Sequence, residues 1–348
     1  MNVLLVQIDG KMPNLALMRI AAHHRANGDS VHLVQYRRPR KEASIADAEL
    51  GLFDQWDKVY ASLIFTKSQP VARRLKEVYP HAIIGGTGWG FQTTSQFGIP
   101  EEGIRDYTIY PSERRSIGFS QRGCRLDCSE FCVVPKKEGH VRDVATIHQV
   151  WRGDPWPREI VLLDNDFFGS PTWKEKIEEV KAGGFKLSLS QGINARMLSD
   201  EAAAAIASVK YRNDEMSRPC IHTAWDNLGD EKPLFRGLNA LKRHGVKPDN
   251  ITVYMLIGLR ERRITDEDFE RQRKLREFGC RPYPMPFVRG KIGEEGHDLV
   301  RFQTWVLGAY DKDLPSRKAV SWDAWMRAKG QPKNLGTGRI EIMERQGA

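Results

Sequence analysis

The sequence predicts an α/β fold in which parallel strands alternate with helices along most of the chain. Short apolar runs, each about the length of a buried strand, recur throughout, and most are followed by a stretch with helical periodicity. Repeated units of this kind bury their strands most economically as parallel sheets covered by helices. We therefore expect an N-terminal Rossmann-like parallel sheet followed by a partial (β/α)6 barrel of the TIM type.

Composition and length are those of an ordinary globular protein. The chain has 348 residues, enough for two domains, with 40% hydrophobic and 28% charged residues. Its longest apolar runs fall far short of the roughly 20 residues that span a bilayer. The N-terminal segment has no basic region before its apolar run, so we expect no signal peptide. A cytoplasmic location without membrane partners is the resulting expectation.

The predicted Rossmann-like region covers residues 1–112. Its predicted strands are Val3–Gln7, Val31–Gln35, Lys58–Leu63 and Ala82–Gly86. Its predicted helices are Pro13–Asn27 and Gln69–Val78. The glycines between Gly85 and Gly90 are expected to form a tight turn, because a glycine cluster without a clear following helix is a weak phosphate-binding signal.

The predicted barrel covers residues 113–296 and contains six strands with helices between them. The predicted strands are Ser116–Ser120, Glu159–Leu163, Lys186–Ser190, Cys220–Ala224, Ile251–Ile257 and Arg281–Pro284. The predicted helices are Val144–Arg152, Thr172–Ala182, Asp200–Val209, Glu231–His244 and Thr265–Phe278. Residues 297–348 are expected to form a helical extension, with helices at His297–Tyr310 and Ser321–Lys329, and a basic tail.

Three of the five cysteines, Cys124, Cys128 and Cys132, lie close together after the first predicted barrel strand. Cytosolic thiols stay reduced, so a metal site is favoured over disulfides. Structural zinc normally has four ligands, whereas three cysteines on a cubane iron–sulfur cluster leave one iron open to another ligand. A Cys3His zinc shell completed by His140 stays open as the alternative.

The stretch Gly118–Gly139 resembles the cluster loop of the radical S-adenosylmethionine (SAM) superfamily. That signature is Cys-x3-Cys-x2-Cys with an aromatic residue before the last cysteine, a position that Phe131 fills, although here three residues separate the last two cysteines. Residues 1–112 resemble the cobalamin-binding-like domain that precedes many of these barrels. They lack its cobalt-ligand motif, since Gln7–Asn14 contains no histidine. The resemblance implies a 4Fe-4S cluster and SAM as cofactors, and cobalamin is not expected.

The resemblance also extends to the predicted strand ends, where a barrel mouth would lie. The implied cofactor-binding residues are Phe131, Asp164, Asn165, Gln191, Asn194, Arg196, Asp226 and Gly258. Phe131 would lie along the adenine, and Asp164 and Asn165 near the SAM amino group or the substrate. Gln191, Asn194 and Arg196 would lie near the SAM carboxylate and ribose, and Asp226 in the cavity. Asp, Asn and Gly also favour turns and helix caps for backbone reasons alone. Cys220 and Cys280 are expected to be buried packing residues.

The resemblance implies an enzyme that reductively cleaves SAM to methionine and a 5'-deoxyadenosyl radical, which acts on an unidentified substrate. Such an enzyme needs a reductase or a flavodoxin-type electron donor. A net charge of +9 and basic clusters make nucleic acid a secondary candidate partner. The alternatives are a zinc-stabilised nucleic-acid-binding protein and a cobalamin-dependent radical SAM methyltransferase. A methylthiotransferase is disfavoured because no cysteine precedes Cys124.

Overall fold

The computed structural model describes residues 1–36, 56–90, 92–126, 128, 132–287, 294–308 and 321–329. The chain divides into two compact units: unit 1 is residues 1–191 with 214–216, and unit 2 is residues 192–213 with 217–348. Among the described residues the strand pairs within each unit are parallel, apart from one two-residue antiparallel pair. The predicted α/β fold with parallel sheets is confirmed. The boundary at residue 112 and the Rossmann-plus-barrel arrangement stay predictions.

The first sheet of unit 1 has the strand order β2-β1-β3-β4. Its elements are β1 (Asn2–Gln7), α1 (Leu15–Ala26), β2 (Ser30–Gln35), β3 (Lys58–Ser62), α2 (Gln69–Val78) and β4 (Ile83–Gly85). The central strand β1 is buried from its second residue onward, which matches its unbroken apolar sequence. Helix α1 begins after the N-cap Asn14, whose side chain accepts a hydrogen bond from the Leu17 N–H at 3.1 Å.

The predicted glycine turn after β4 is confirmed. Gly86 has a φ of +104°, and a side chain there would collide with the Leu63 carbonyl. Gly88 packs against the backbone of Ile64 and Phe65 in the same way. These glycines therefore let the turn approach the end of β3.

The second sheet of unit 1 contains β5, β8 and β9 in parallel. The elements here are β5 (Ser116–Gly118), β6 (Gln121–Arg122), α3 (Val134–Glu138), β7 (Arg142–Asp143), α4 (Ile147–Val150), β8 (Glu159–Leu162), α5 (Trp173–Ala182) and β9 (Lys186–Leu189). The predicted helix over Val144–Arg152 is wrong in extent, because the N–H groups of Val144 and Ala145 donate to the Ser120 carbonyl. Helix α4 begins only at the capping box of Thr146 and Gln149.

A hydrophobic cluster joins the two sheets of unit 1. Leu15 and Met18 of α1 pack with Tyr107, Ile117 of β5 and Val161 of β8. Burial of each such aliphatic side chain contributes about 1.5–3 kcal/mol. Strand β5, which precedes the cysteines, is therefore anchored to α1.

Unit 2 contains the parallel sheet β11-β12-β13. Its elements are α6 (Asp200–Ala207), β10 (Lys210–Tyr211), β11 (Ile221–Ala224), α7 (Glu231–Arg243), β12 (Ile251–Ile257), α8 (Asp266–Phe278), β13 (Arg281–Pro286), α9 (Glu294–Gly308) and α10 (Trp322–Lys329). The two predicted C-terminal helices are confirmed, and Phe302, Trp305 and Trp322 form an aromatic cluster there. The predicted basic tail lies outside the described residues. No described helix is long and apolar enough to cross a membrane.

Candidate cofactor site

The three clustered cysteines lie on one loop of unit 1, between β6 and α3. All three side chains have intermediate exposure, and none of these three described cysteines forms a disulfide. The Cys132 N–H donates to the Cys128 carbonyl at 2.8 Å, and the Leu126 N–H donates to Cys124 Sγ at 3.4 Å. Burial raises the pKa of the Cys124 thiol, and the nearby Asp166 carboxylate raises it further. A bound cation would oppose both effects, because thiolate is the form that binds metals.

Within the described part of the chain, no three His, Cys, Asp or Glu side chains are gathered closely enough to hold a metal ion. That part includes Cys124, Cys128, Cys132 and His140. The side chains predicted to hold an iron–sulfur cluster, or a zinc ion together with His140, are therefore too far apart in this structure to bind a metal ion. The donor set nevertheless fits an iron–sulfur cluster by its chemistry, since the loop offers three reduced and accessible thiols. Phe131, the predicted adenine contact, lies outside the described residues.

The two ends of the cysteine loop are fastened to each other. Arg122 binds Glu138 through two hydrogen bonds, Nε to Oε2 at 2.5 Å and Nη2 to Oε1 at 2.8 Å. The Cys124 N–H donates to the Gly139 carbonyl at 3.3 Å. Gly123, with a φ of +81°, lies against the His140 carbonyl, where any side chain would collide. These contacts hold the two ends of the cysteine loop next to each other.

A second ion pair fixes the loop to the end of β8. The guanidinium of Arg125, which follows Cys124 directly, contacts the buried Asp166 through Nε–Oδ2 at 2.6 Å and Nη2–Oδ1 at 3.0 Å. Gly169 packs so closely on this pair that a side chain there would collide with it. Gln121 accepts the Asp166 N–H at 3.1 Å and donates to the carbonyls of Arg122 and Gly123. These contacts orient the backbone that leads into the first cysteine.

Asp164, a predicted cofactor contact, is buried beneath the loop. One carboxylate oxygen accepts the Ser120 N–H at 2.7 Å, and the other accepts the Ser120 hydroxyl. Burial raises its pKa to about 6, although the Ser120 hydrogen bonds and the Lys176 charge oppose the shift. In the described structure this carboxyl group supports the start of the loop, and only 1% of the residue is exposed.

The backbone of Ser120 is also held by a buried lysine. Lys176 Nζ donates to the Ser120 carbonyl at 2.9 Å, to Asp143 Oδ1 at 2.6 Å and to the Ser170 hydroxyl at 3.0 Å. These contacts satisfy all three ammonium protons, so the charge is compensated within the fold. Ser120 is therefore fixed at its N–H, its hydroxyl and its carbonyl.

The other two predicted contacts in unit 1 have free polar groups. Asn165 follows Asp164, and its side-chain Nδ2 is buried with no hydrogen-bond partner among the described residues. Gln191 follows β9 and is exposed. An unpaired buried amide costs about 1–3 kcal/mol, so the Asn165 N–H groups are available to a bound ligand.

Unit 2 carries the remaining predicted contacts. Asn194 has a buried Nδ2 without a partner among the described residues. The segment that carries it packs on α7, because Gly237 allows the Ala195 carbonyl to approach the helix. Arg196 forms an ion pair with Asp230, and both side chains are partly exposed. Asn194 is the residue of this segment whose donor capacity is unused.

Asp226 and Gly258 follow the strands β11 and β12 of unit 2. Asp226 Oδ1 accepts the Leu256 N–H at 2.9 Å, and burial raises the pKa of this carboxyl group. Gly258 has a φ of +76° and lies against the Leu299 side chain. The positive φ and the lack of space for a side chain account for a glycine at this position. The predicted burial of Cys220 and Cys280 is confirmed, with 5% and 0% of their surfaces exposed.

Five residues that support the loop were not predicted from the sequence: Arg122, Arg125, Glu138, Asp166 and Lys176. The ion pair between Arg122 and Glu138 links the two flanks of the cysteine stretch, so charged residues of opposite sign on either side were an available signal. The Arg125–Asp166 pair joins residues 41 positions apart. That pairing requires knowledge that β5 and β8 are neighbours.

A comparison with solved structures finds proteins whose fold matches most of this chain. No family model matches the sequence, and no curated protein matches it. A solved structure of the radical SAM methyltransferase TsrM from Kitasatospora setae, with cobalamin and a 4Fe-4S cluster bound, matches with a TM-score of 0.55 at 11% identity. The match covers 91% of this chain and 79% of that one. The chain therefore shares its fold with this radical SAM enzyme.

A second structure with the same radical SAM fold is TsrM with tryptophan substrate and the SAM analogue aza-SAM bound. It matches with a TM-score of 0.53 at 12% identity, covering 82% of this chain and 73% of that one. The expectation that cobalamin is not a cofactor finds no support here, because the first of these structures contains cobalamin. At these identities the likeness concerns the fold.

Proposed function

We propose that the protein is a radical SAM enzyme in which Cys124, Cys128 and Cys132 hold a 4Fe-4S cluster. When bound, such a cluster supplies the electron that cleaves SAM to methionine and a 5'-deoxyadenosyl radical. The observation that carries the proposal is the loop itself: three accessible thiols, none of them in a disulfide, follow the first strand of the second parallel sheet. The radical SAM fold supports the same conclusion.

The residues of the chain have distinct roles in this proposal. Arg122 with Glu138, and Arg125 with Asp166, hold the loop in place, while Asp164 and Lys176 fix its first residue. The unused amide group of Asn165, in the same unit as the cysteines, would donate hydrogen bonds to carboxylate or hydroxyl oxygens of SAM. Its burial is costly without such a ligand.

Metal and sulfide analysis tests the proposal. Anaerobically reconstituted protein should contain about four iron and four sulfide per chain and absorb broadly near ~400 nm. Replacing any one of Cys124, Cys128 or Cys132 by alanine should remove the cluster. The matched control Cys280→Ala should retain it, since that thiol is fully buried in unit 2. Stoichiometric zinc without sulfide would favour a Cys3His zinc site and refute the proposal.

A second candidate is cobalamin-dependent methyl transfer, which the cobalamin-bound TsrM neighbour favours. Gln7 occupies the start of the segment in which the resembling family carries its histidine ligand. Its side-chain Nε2 donates to the carbonyls of Asp9, Gly10 and Met12, at 2.9–3.3 Å. Any bound corrinoid should therefore lack a histidine nitrogen on cobalt. Electron paramagnetic resonance of the cobalt(II) form checks this, since nitrogen splitting from a protein histidine would contradict it.

A further inference from the structure

Unit 1 contains a cavity of about 990 Å³ that none of the predicted cofactor contacts lines. Its wall combines the exposed side of α1, the segment before β5, and the segment around α4. Four of its lining residues are the arginines Arg19, Arg25, Arg105 and Arg152, and two are the acidic residues Glu102 and Asp106. The side chains that line it therefore carry an excess of positive charge.

Arg19 is the decisive residue of the cavity. Within the described part of the chain its guanidinium makes no hydrogen bond or ion pair, and its Nε is buried without a partner. Burial is the largest influence on this group and lowers its pKa from the usual value. A cation that loses water without gaining an internal partner is costly, and an anion bound to Arg19 would offset that cost.

The other arginines leave much of this positive charge uncompensated. Arg105 donates to the main-chain carbonyls of Gln149 and Val150, at 2.9 and 3.1 Å, which carry no formal charge. Arg152 lies between the rings of Tyr107 and Trp156, with its central carbon 3.8 and 3.4 Å from their centroids.

Both lining carboxylates have other cationic neighbours. Asp106 Oδ2 lies 3.2 Å from Arg25 Nε. Glu102 Oε1 lies 3.8 Å from Nη1 of Arg122, which is outside the cavity lining. The Glu102 charge also raises the pKa of Arg19 against the larger effect of burial, but the two side chains form no ion pair among the described residues. The arginine without a direct counter-charge is therefore Arg19, which points to an external anion.

We propose that this cavity binds a phosphate group, with Arg19 as its principal ligand. Guanidinium groups match phosphate through paired, charge-assisted hydrogen bonds, and several arginines around one space favour a multiply charged anion. The exposed side chain of Ile104 and the rings of Phe119 and Trp156 add apolar surface for the rest of a phosphoester. The source of the phosphate is either a small phosphoester or the backbone of a nucleic acid.

Binding of pyrophosphate tests the proposal, measured by calorimetry and by thermal unfolding at constant ionic strength. Pyrophosphate should raise the Tm of the full chain above that in sodium chloride. The variant Arg19→Gln should bind it at least about tenfold more weakly, as loss of a charge-assisted hydrogen bond predicts. Without ligand, Arg19→Gln should unfold at the same or a higher temperature than the parent, because it removes a partly buried charge that has no hydrogen bond or ion pair among the described residues. A structural role for Arg19 would instead lower the Tm.

The control variant Arg73→Gln removes an equal charge from an exposed position on α2 of the same unit. It should leave pyrophosphate affinity unchanged. Equal weakening by both variants, or no binding by the parent, would overturn the proposal. A single-stranded oligonucleotide identifies the source: binding that Arg19→Gln weakens supports a nucleic-acid backbone, whereas pyrophosphate binding with oligonucleotide binding unaffected by Arg19→Gln supports a small phosphoester.

Discussion

Two groups of cationic side chains in unit 1 differ in how the chain compensates them. At the base of the cysteine loop, Arg122, Arg125 and Lys176 each lie within 2.5–2.6 Å of a carboxylate oxygen. In the cavity beside α1, Arg19 has no partner among the described residues, and Arg105 contacts main-chain carbonyls. Charges that the fold pairs internally stabilise its geometry, whereas a charge left unpaired is free to bind a ligand. Mutations should therefore affect stability at the loop base and binding at the cavity.

The largest effect on stability is expected at the loop base. Arg122→Met removes both hydrogen bonds from Arg122 to the buried Glu138 and leaves Lys137 Nζ, 3.6 Å from Oε1, as a weaker cationic neighbour. It should lower the free energy of unfolding by at least about 3 kcal/mol. Chemical denaturation measures this change. The exposed pair Arg74–Glu77 on α2 provides the control, because Arg74→Met should cost no more than about 0.5 kcal/mol. Equal costs for the two variants would show that the pair does not hold the loop.

Ionisation of Asp164 should make the free energy of unfolding depend on pH, an effect of intermediate size. Its pKa is raised to about 6, so the folded protein binds this proton more tightly than the unfolded chain. Its contribution to stability is therefore most favourable below about pH 4 and declines as pH rises to about 6, by up to ~3 kcal/mol. Asp164→Asn retains the uncharged hydrogen-bonding shape and should gain stability relative to the parent across that interval.

Urea unfolding between pH 4 and pH 7.5 measures this difference. Asp200 is the control of opposite sign, because its contacts with Arg243 and His244 hold its pKa below the usual value. Asp200→Asn should therefore lose stability relative to the parent as pH rises from the acid range. A pH-independent difference for Asp164→Asn would exclude an uncompensated buried carboxyl group at this position.

The smallest effect on stability is expected at Asn165. Asn165→Leu removes a buried amide without a described partner, so the free energy of unfolding should stay within about 1 kcal/mol of the parent or rise. The KM for SAM should increase about tenfold, because the unused donor is assigned to that ligand. Asn14→Leu provides the contrast: its side chain caps α1, so about 1 kcal/mol of stability should be lost with KM unchanged.

The sequence predicted regular elements well where the responsible interactions are local. Helix α2 and strand β12 have the predicted bounds, because the periodicity of their hydrophobic residues and the residues that flank them determine where they begin and end. The helix over Val144–Arg152 was overextended, since the Ser120 carbonyl, distant in sequence, binds the N–H groups at its start. The cysteines were found from their spacing alone. The loop supports were missed, because pairs such as Arg125–Asp166 exist only once β5 and β8 are adjacent.

Formation of 5'-deoxyadenosine shows whether a cluster held by Cys124, Cys128 and Cys132 cleaves SAM. Reconstituted and reduced protein is incubated anaerobically with SAM, and the products are quantified by mass spectrometry. We predict slow formation of 5'-deoxyadenosine and methionine in equal amounts. The variant Cys132→Ala should form neither product, whereas Cys280→Ala should form both. Protein that holds about four iron and four sulfide per chain yet forms no 5'-deoxyadenosine would contradict the claim that its cluster cleaves SAM to a radical.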